Sequence, residues 1–79
     1  MSAGNIDAAI DACTSAIDLI PTRWSAINSR ATAYFASRRF EEALEGYRHA
    51  LSVAPQDPAI IGTIEHNIRL SVQRLDIEN

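Results

Sequence analysis

The side chains able to carry chemistry are few and scattered. Cys13 is the lone cysteine, and His49 and His66 are the two histidines. A metal site or a Cys–His nucleophile needs such groups to converge on one surface. Cys13 instead falls in an apolar stripe, where a free thiol behaves as a small hydrophobe, and the two imidazoles fall on different predicted helices as surface groups. Glu41, Glu42 and Glu45 cluster, but at the start of a predicted helix, where the helix dipole favours anions and where no acid–base pair is implied. The seven basic residues are all arginines, at 23, 30, 38, 39, 48, 69 and 74. Without a lysine there is no Schiff-base chemistry and no phosphate-loop lysine. We therefore expect no catalytic residues, no metal site and no cofactor.

The elements that position these residues follow from size and pattern. The 79 residues, 47% hydrophobic and 22% charged with three Gly and three Pro, describe one small folded domain. A net charge of −3 lacks the cationic surplus that phosphate binding demands, so nucleic acid is not an expected partner. The middle of the chain is locally basic, with five Arg against three Glu in residues 23–54, while the flanks are acidic. That asymmetry could steer an acidic partner segment, or could be balanced by Glu41, Glu42 and Glu45 themselves. One cysteine permits no intrachain disulfide, and the opening residues Met1 to Gly4 lack a charged-then-apolar leader. No apolar run approaches the roughly 20 residues that span a bilayer. A soluble, cytoplasmic protein is the expectation.

Apolar residues recur at helical spacing in segments parted by breakers. Ile6, Ala9, Ile10, Cys13, Ala16, Ile17 and Ile20 form one stripe that stops at Pro21, opposite Asp7, Asp11 and Asp18. Trp24, Ile27, Ala31, Tyr34 and Phe35 form a second; a break at Ser37-Arg38-Arg39 precedes a third, made by Phe40, Ala43, Leu44, Tyr47, Ala50 and Leu51. Ser37 is a candidate cap for that third helix. Pro55-Gln56-Asp57-Pro58 restarts the chain, with Asp57 as N-cap and Pro58 at the first helical position. The last stripe is Ile61, Ile64, Ile68, Val72 with Ser71, and Leu75, ending near Asp76, while Ile60, Leu70 and Ile77 lie off it and suggest a second sticky face.

The chain also repeats itself at an offset of 34 residues. Ala9 falls on Ala43, Ala16 on Ala50, Pro21 on Pro55 and Ile27 on Ile61; Ile6/Phe40, Ile10/Leu44, Ile17/Leu51 and Leu19/Val53 match in type. A helix pair with this period resembles the tetratricopeptide repeat family. The central unit carries the resemblance with Ile27, Arg30, Ala31 and Tyr34, then Ala43, Tyr47, Ala50 and Pro55. Ile27, Arg30 and Ala31 depart from the Trp, Leu and Gly usual in the family. The resemblance implies an all-α, antiparallel helix-pair array of four helices with right-handed superhelical stacking. Within it, residues 4–21 would be the second helix of a partial repeat, 22–57 a complete repeat and 58–76 a capping helix.

The resemblance further implies a noncatalytic protein–protein interaction module that binds a peptide or helical partner on the concave face. There it places Asn28, Thr32 and Phe35 from one helix and His66, Arg69 and Leu70 from the next. Asn28 can donate to and accept from a peptide backbone, Arg69 can fork onto a carboxylate, and Phe35 offers an apolar wall. The Lys-Asn-Arg clamp that captures chaperone tails in some members is missing, with Ser29, Ala59 and Thr63 at its places. The alternative is a structural unit that stacks or swaps with copies of itself, since repeat arrays draw stability from neighbours.

Overall fold

The computed structural model describes the backbone of residues 3–78 and the side chains of residues 5–77. Met1 and Ser2, the start of the segment searched for a leader, lie outside the described residues. Four helices follow in order: α1 (Ala3–Leu19), α2 (Trp24–Ala36), α3 (Phe40–Val53) and α4 (Pro58–Glu78). Each packs on its neighbour in sequence, and there is no strand among the described residues. The chain is thus the all-α helix-pair array that its periodicity predicts.

The turns show why the helices stop where they do. At the end of α2 the Arg38 N–H donates to the Phe35 carbonyl at 3.0 Å and the Arg39 N–H to the Tyr34 carbonyl at 2.9 Å, with Arg38 at φ 65°. This is the paired closing arrangement that usually takes Gly at its left-handed position. Ser37 does not cap α3, contrary to expectation. It terminates α2, its N–H donating to the Ala33 and Tyr34 carbonyls and its hydroxyl to the Tyr34 carbonyl at 2.9 Å. The reversal through Arg38 carries the chain away before α3 begins, so the N-cap position falls to Arg39, which makes no side-chain cap bond. Asp57 does cap α4: its Oδ1 accepts the Ala59 N–H at 2.9 Å. Glu41 and Glu42 occupy the first turn of α3, as expected for its dipole.

One core joins the helices. Ile27 and Ala31 from α2, Ala43, Tyr47 and Ala50 from α3, and Ile64 from α4 pack in a single cluster with Ile17 of α1. Ala43 and Ala50 are wholly buried, which fits their role as the small residues where helices cross. A close approach lies beside them at Gly46, where an added Cβ would sit 2.9 Å from the Cβ of Ala31. Arg39 pins the outer edge of the same helix pair. Its guanidinium forks onto Glu42 at 3.0 and 3.1 Å and lies 4.9 Å from the centre of the Tyr34 ring.

Two stripes differ from expectation. In α1, Ile6, Ile10 and Ile17 are buried and Cys13 is half-buried, but Ala9 and Ile20 are exposed, because α2 covers only part of that helix's apolar arc. In α4 the buried line is rotated toward Ile60, which packs on the core, and Ser71, which is wholly buried, while Val72 is exposed. Ser71 tolerates burial because its hydroxyl donates to the Asn67 carbonyl one turn back, at 3.0 Å. Ile60 is therefore a core residue and not part of a second face; Leu70 is half-buried and Ile77 is exposed. The helix runs on to Glu78, past its expected end at Asp76.

Candidate functional site

The six residues expected to bind a partner fall into groups with different surroundings. Asn28 and Thr32 lie one turn apart in the middle of α2. The Thr32 hydroxyl donates to the Asn28 carbonyl at 3.0 Å and shares a 2.8 Å hydrogen bond with the Tyr47 phenol of α3. Its polar capacity is thus largely taken up in joining the two helices. Burial raises the Tyr47 phenol above its ordinary value of 10.0, the Thr32 hydrogen bond pulling the other way. Asn28 differs: its side-chain oxygen Oδ1 is shielded from solvent and has no hydrogen-bond partner. A buried amide oxygen left unpaired costs roughly 1–3 kcal/mol of stability.

Phe35 packs edge-on against Phe40, ring centres 5.0 Å apart. The two rings, with Ala36, Arg38 and Arg74, line a recess of about 280 Å³ where the end of α2 meets α4. The structure sets Phe35 beside Arg74, one turn further along α4 than the Arg69 and Leu70 expected on this face. His66 and Arg69 are exposed on α4 and Leu70 is half-buried. The helical period alone could have flagged Arg74, one turn beyond Leu70, but nothing in the sequence states how far α4 slides along α2. Arg38 was equally hidden, since its position depends on the left-handed turn.

A larger recess, about 330 Å³, opens between α2 and α3, lined by Arg30, Tyr34, Glu42, Glu45, Gly46 and His49. Its floor is low because Gly46 has no side chain. Its charges are already partly matched: Glu42 is held by Arg39, and Arg30 reaches across to Thr14 of α1, Nη1 donating at 3.3 Å. Among the described residues no group of three or more His, Cys, Asp and Glu could hold a metal ion, and no helix is long and apolar enough to cross a membrane.

Residues 1–62 match the family model described as tetratricopeptide repeat. The chain belongs to the tetratricopeptide repeat family. The match runs through α1, α2 and α3 and stops early in α4. No solved structure matches the chain. Tetratricopeptide repeats generally serve as noncatalytic interaction modules that bind protein partners, which fits a surface of grooves between packed helices.

Proposed function

We propose that this tetratricopeptide repeat chain is a noncatalytic interaction module that binds an extended, acidic peptide across the face of α2 and α4. The observation that carries this reading is the recess that Phe35 and Phe40 form beside Arg74, where α2 meets α4. The Asn28 amide nitrogen can donate to a peptide carbonyl at the half-buried middle of α2. The recess at Phe35 and Phe40 then takes an apolar side chain, and Arg74 beside it takes a carboxylate. His66, Arg69 and Leu70 extend the surface along α4. The partial repeat at 4–21, the complete repeat at 22–57 and the cap at 58–76 fit this use, because the exposed Glu65 gives α4 a polar position where a further helix would pack. The same polar side weighs against stacking of copies through α4.

Selection of displayed peptides against the wild-type chain tests the proposal, with counter-selection on an Asn28→Ala/Arg74→Ala double variant. Enrichment of acidic sequences that bind at least about tenfold more weakly to the variant is the expected result. Peptides that bind both proteins equally, or a selection that enriches nothing, would refute the groove.

A further inference from the structure

Glycine is, after proline, the residue least suited to a helix interior, so one that stays there without a structural cause points to something outside the chain. Gly46 of α3 has its cause in Ala31, whose Cβ lies 2.9 Å from where a Cβ of its own would stand. Gly62, in the second turn of α4, has none. A Cβ added there would meet nothing within 4 Å, and its φ is not positive, so Ala would fit without any shift. Helical spacing sets Gly62, His66, Arg69 and Gln73 in one stripe, all four exposed and turned away from the buried Ile64 and Ser71. Arg69 carries the only full charge among these four side chains, and the stripe leads on to Arg74 and the recess at Phe35 and Phe40.

We propose that Gly62 is a contact position for the acidic peptide, the place where the peptide's main chain lies directly against the backbone of α4. The proposal rests on the peptide-binding reading above and adds to it the path and length of the bound segment. Only glycine lets another backbone come so near a helix, since any side chain would hold it off. Gly62 and Arg74 are twelve residues apart on α4, a distance of about 18 Å along a helix that rises 1.5 Å per residue. An extended peptide advances about 3.3 Å per residue, so about five or six residues separate the one anchored at Phe35 and Arg74 from the one lying over Gly62. Arg69 stands between these points, about 10 Å from Gly62. A second carboxylate of the peptide, about three residues from the one over Gly62, pairs with it. A large side chain at position 62 would lift the peptide from α4 there and leave the distant anchor in place.

The probes are the peptides enriched on the wild-type chain by display, each made with a fluorescein label in a ten-residue form and in a four-residue form that keeps only its apolar and acidic anchor. Read by anisotropy, Gly62→Leu weakens the ten-residue forms about tenfold or more and changes the four-residue forms by less than about twofold. Gly62→Ala weakens the ten-residue forms about threefold. The same substitution raises the melting temperature of the free chain by about 4–8 °C, because Ala is the better helix former and meets no neighbour. Firmer folding with weaker binding is a split that a purely structural role for Gly62 would not produce. A melting temperature that fails to rise would reveal a cause for Gly62 inside the chain and overturn the inference. Ten-residue peptides that lose affinity with Arg74→Ala yet bind Gly62→Leu as tightly as wild type would overturn it and leave the peptide-binding reading standing. So would a loss that the four-residue forms share, since it would mean a disturbed recess. A selection that enriches nothing overturns both.

Discussion

Replacing Gly46 by Ala asks whether the α2–α3 crossing is set by contact at that point. In an exposed helix the change is favourable by about 1 kcal/mol, because Ala is the better helix former. Here the new methyl would lie 2.9 Å from the Ala31 Cβ and 3.5 Å from its Cα. Carbon atoms prefer about 3.5–4.0 Å, and a β-carbon cannot rotate away, so the two backbones must separate. Overpacking of this kind costs about 1–3 kcal/mol, leaving a net loss near 1 kcal/mol after the propensity gain. Ala31→Gly alone should lose about 2 kcal/mol, from one buried methylene-sized group and a less favourable helix residue. Combining the two moves the methyl from one helix to the other and removes the clash. The double variant should then fall within about 1 kcal/mol of wild type, against about 3 kcal/mol if the effects added, a coupling near 2 kcal/mol. Urea unfolding followed by circular dichroism measures all four proteins, and each kcal/mol moves the melting temperature of so small a domain by about 4–8 °C. A Gly46→Ala protein that gains the full helix-propensity stability, with an additive double variant, would refute the close approach.

Other consequences follow from single groups. Arg38 holds φ 65° at the closing turn of α2, so Arg38→Gly should raise stability by about 0.5–1 kcal/mol, read as a higher urea midpoint with an unchanged slope. Because burial raises the Tyr47 phenol, the unfolded chain ionises at lower pH than the folded one. Its contribution is complete below pH 10.0 and is lost as pH climbs through the folded value; Tyr47→Phe should remove this part of the alkaline fall in melting temperature. Asn28→Leu takes away an unpaired shielded oxygen, so it should stabilise the free chain by about 1 kcal/mol while abolishing binding of any peptide selected on the wild type. A variant that loses stability and keeps binding would remove Asn28 from the site.

Helix number, order and most boundaries were legible because two signals agree: apolar spacing inside each segment, and Pro21, the Ser37-Arg38-Arg39 break and Asp57-Pro58 between them. Ala43 and Ala50 were legible as crossing residues from the 34-residue repeat. What the pattern could not convey is how the helices rotate and slide. Gly46 lies next to the Ala43 and Ala50 line, and only the crossing angle decides that it meets Ala31 closely. Ser71 and Val72 share a place on the last stripe, and only the rotation of α4 decides that Ser71, its hydroxyl satisfied within the helix, is the one buried. In the candidate site, the family resemblance set Asn28 and Phe35 on one face of α2, and of the two only Phe35 lines the recess where α2 meets α4. The bond between the Thr32 hydroxyl and Tyr47 was not legible, because it joins residues of two helices and no local pattern shows it. Arg74 was missed for the same reason, its place beside Phe35 depending on where α4 crosses the end of α2.

The account rests on peptide binding by the α2 and α4 face, and resonance mapping with the tightest selected peptide tests it most directly. In a heteronuclear NMR titration, the account predicts that the Asn28 side-chain amide and the Phe35 and Arg74 signals shift together with a single saturation curve. Shifts confined to α1 or to the outer side of α3, with Asn28 unmoved, would contradict it.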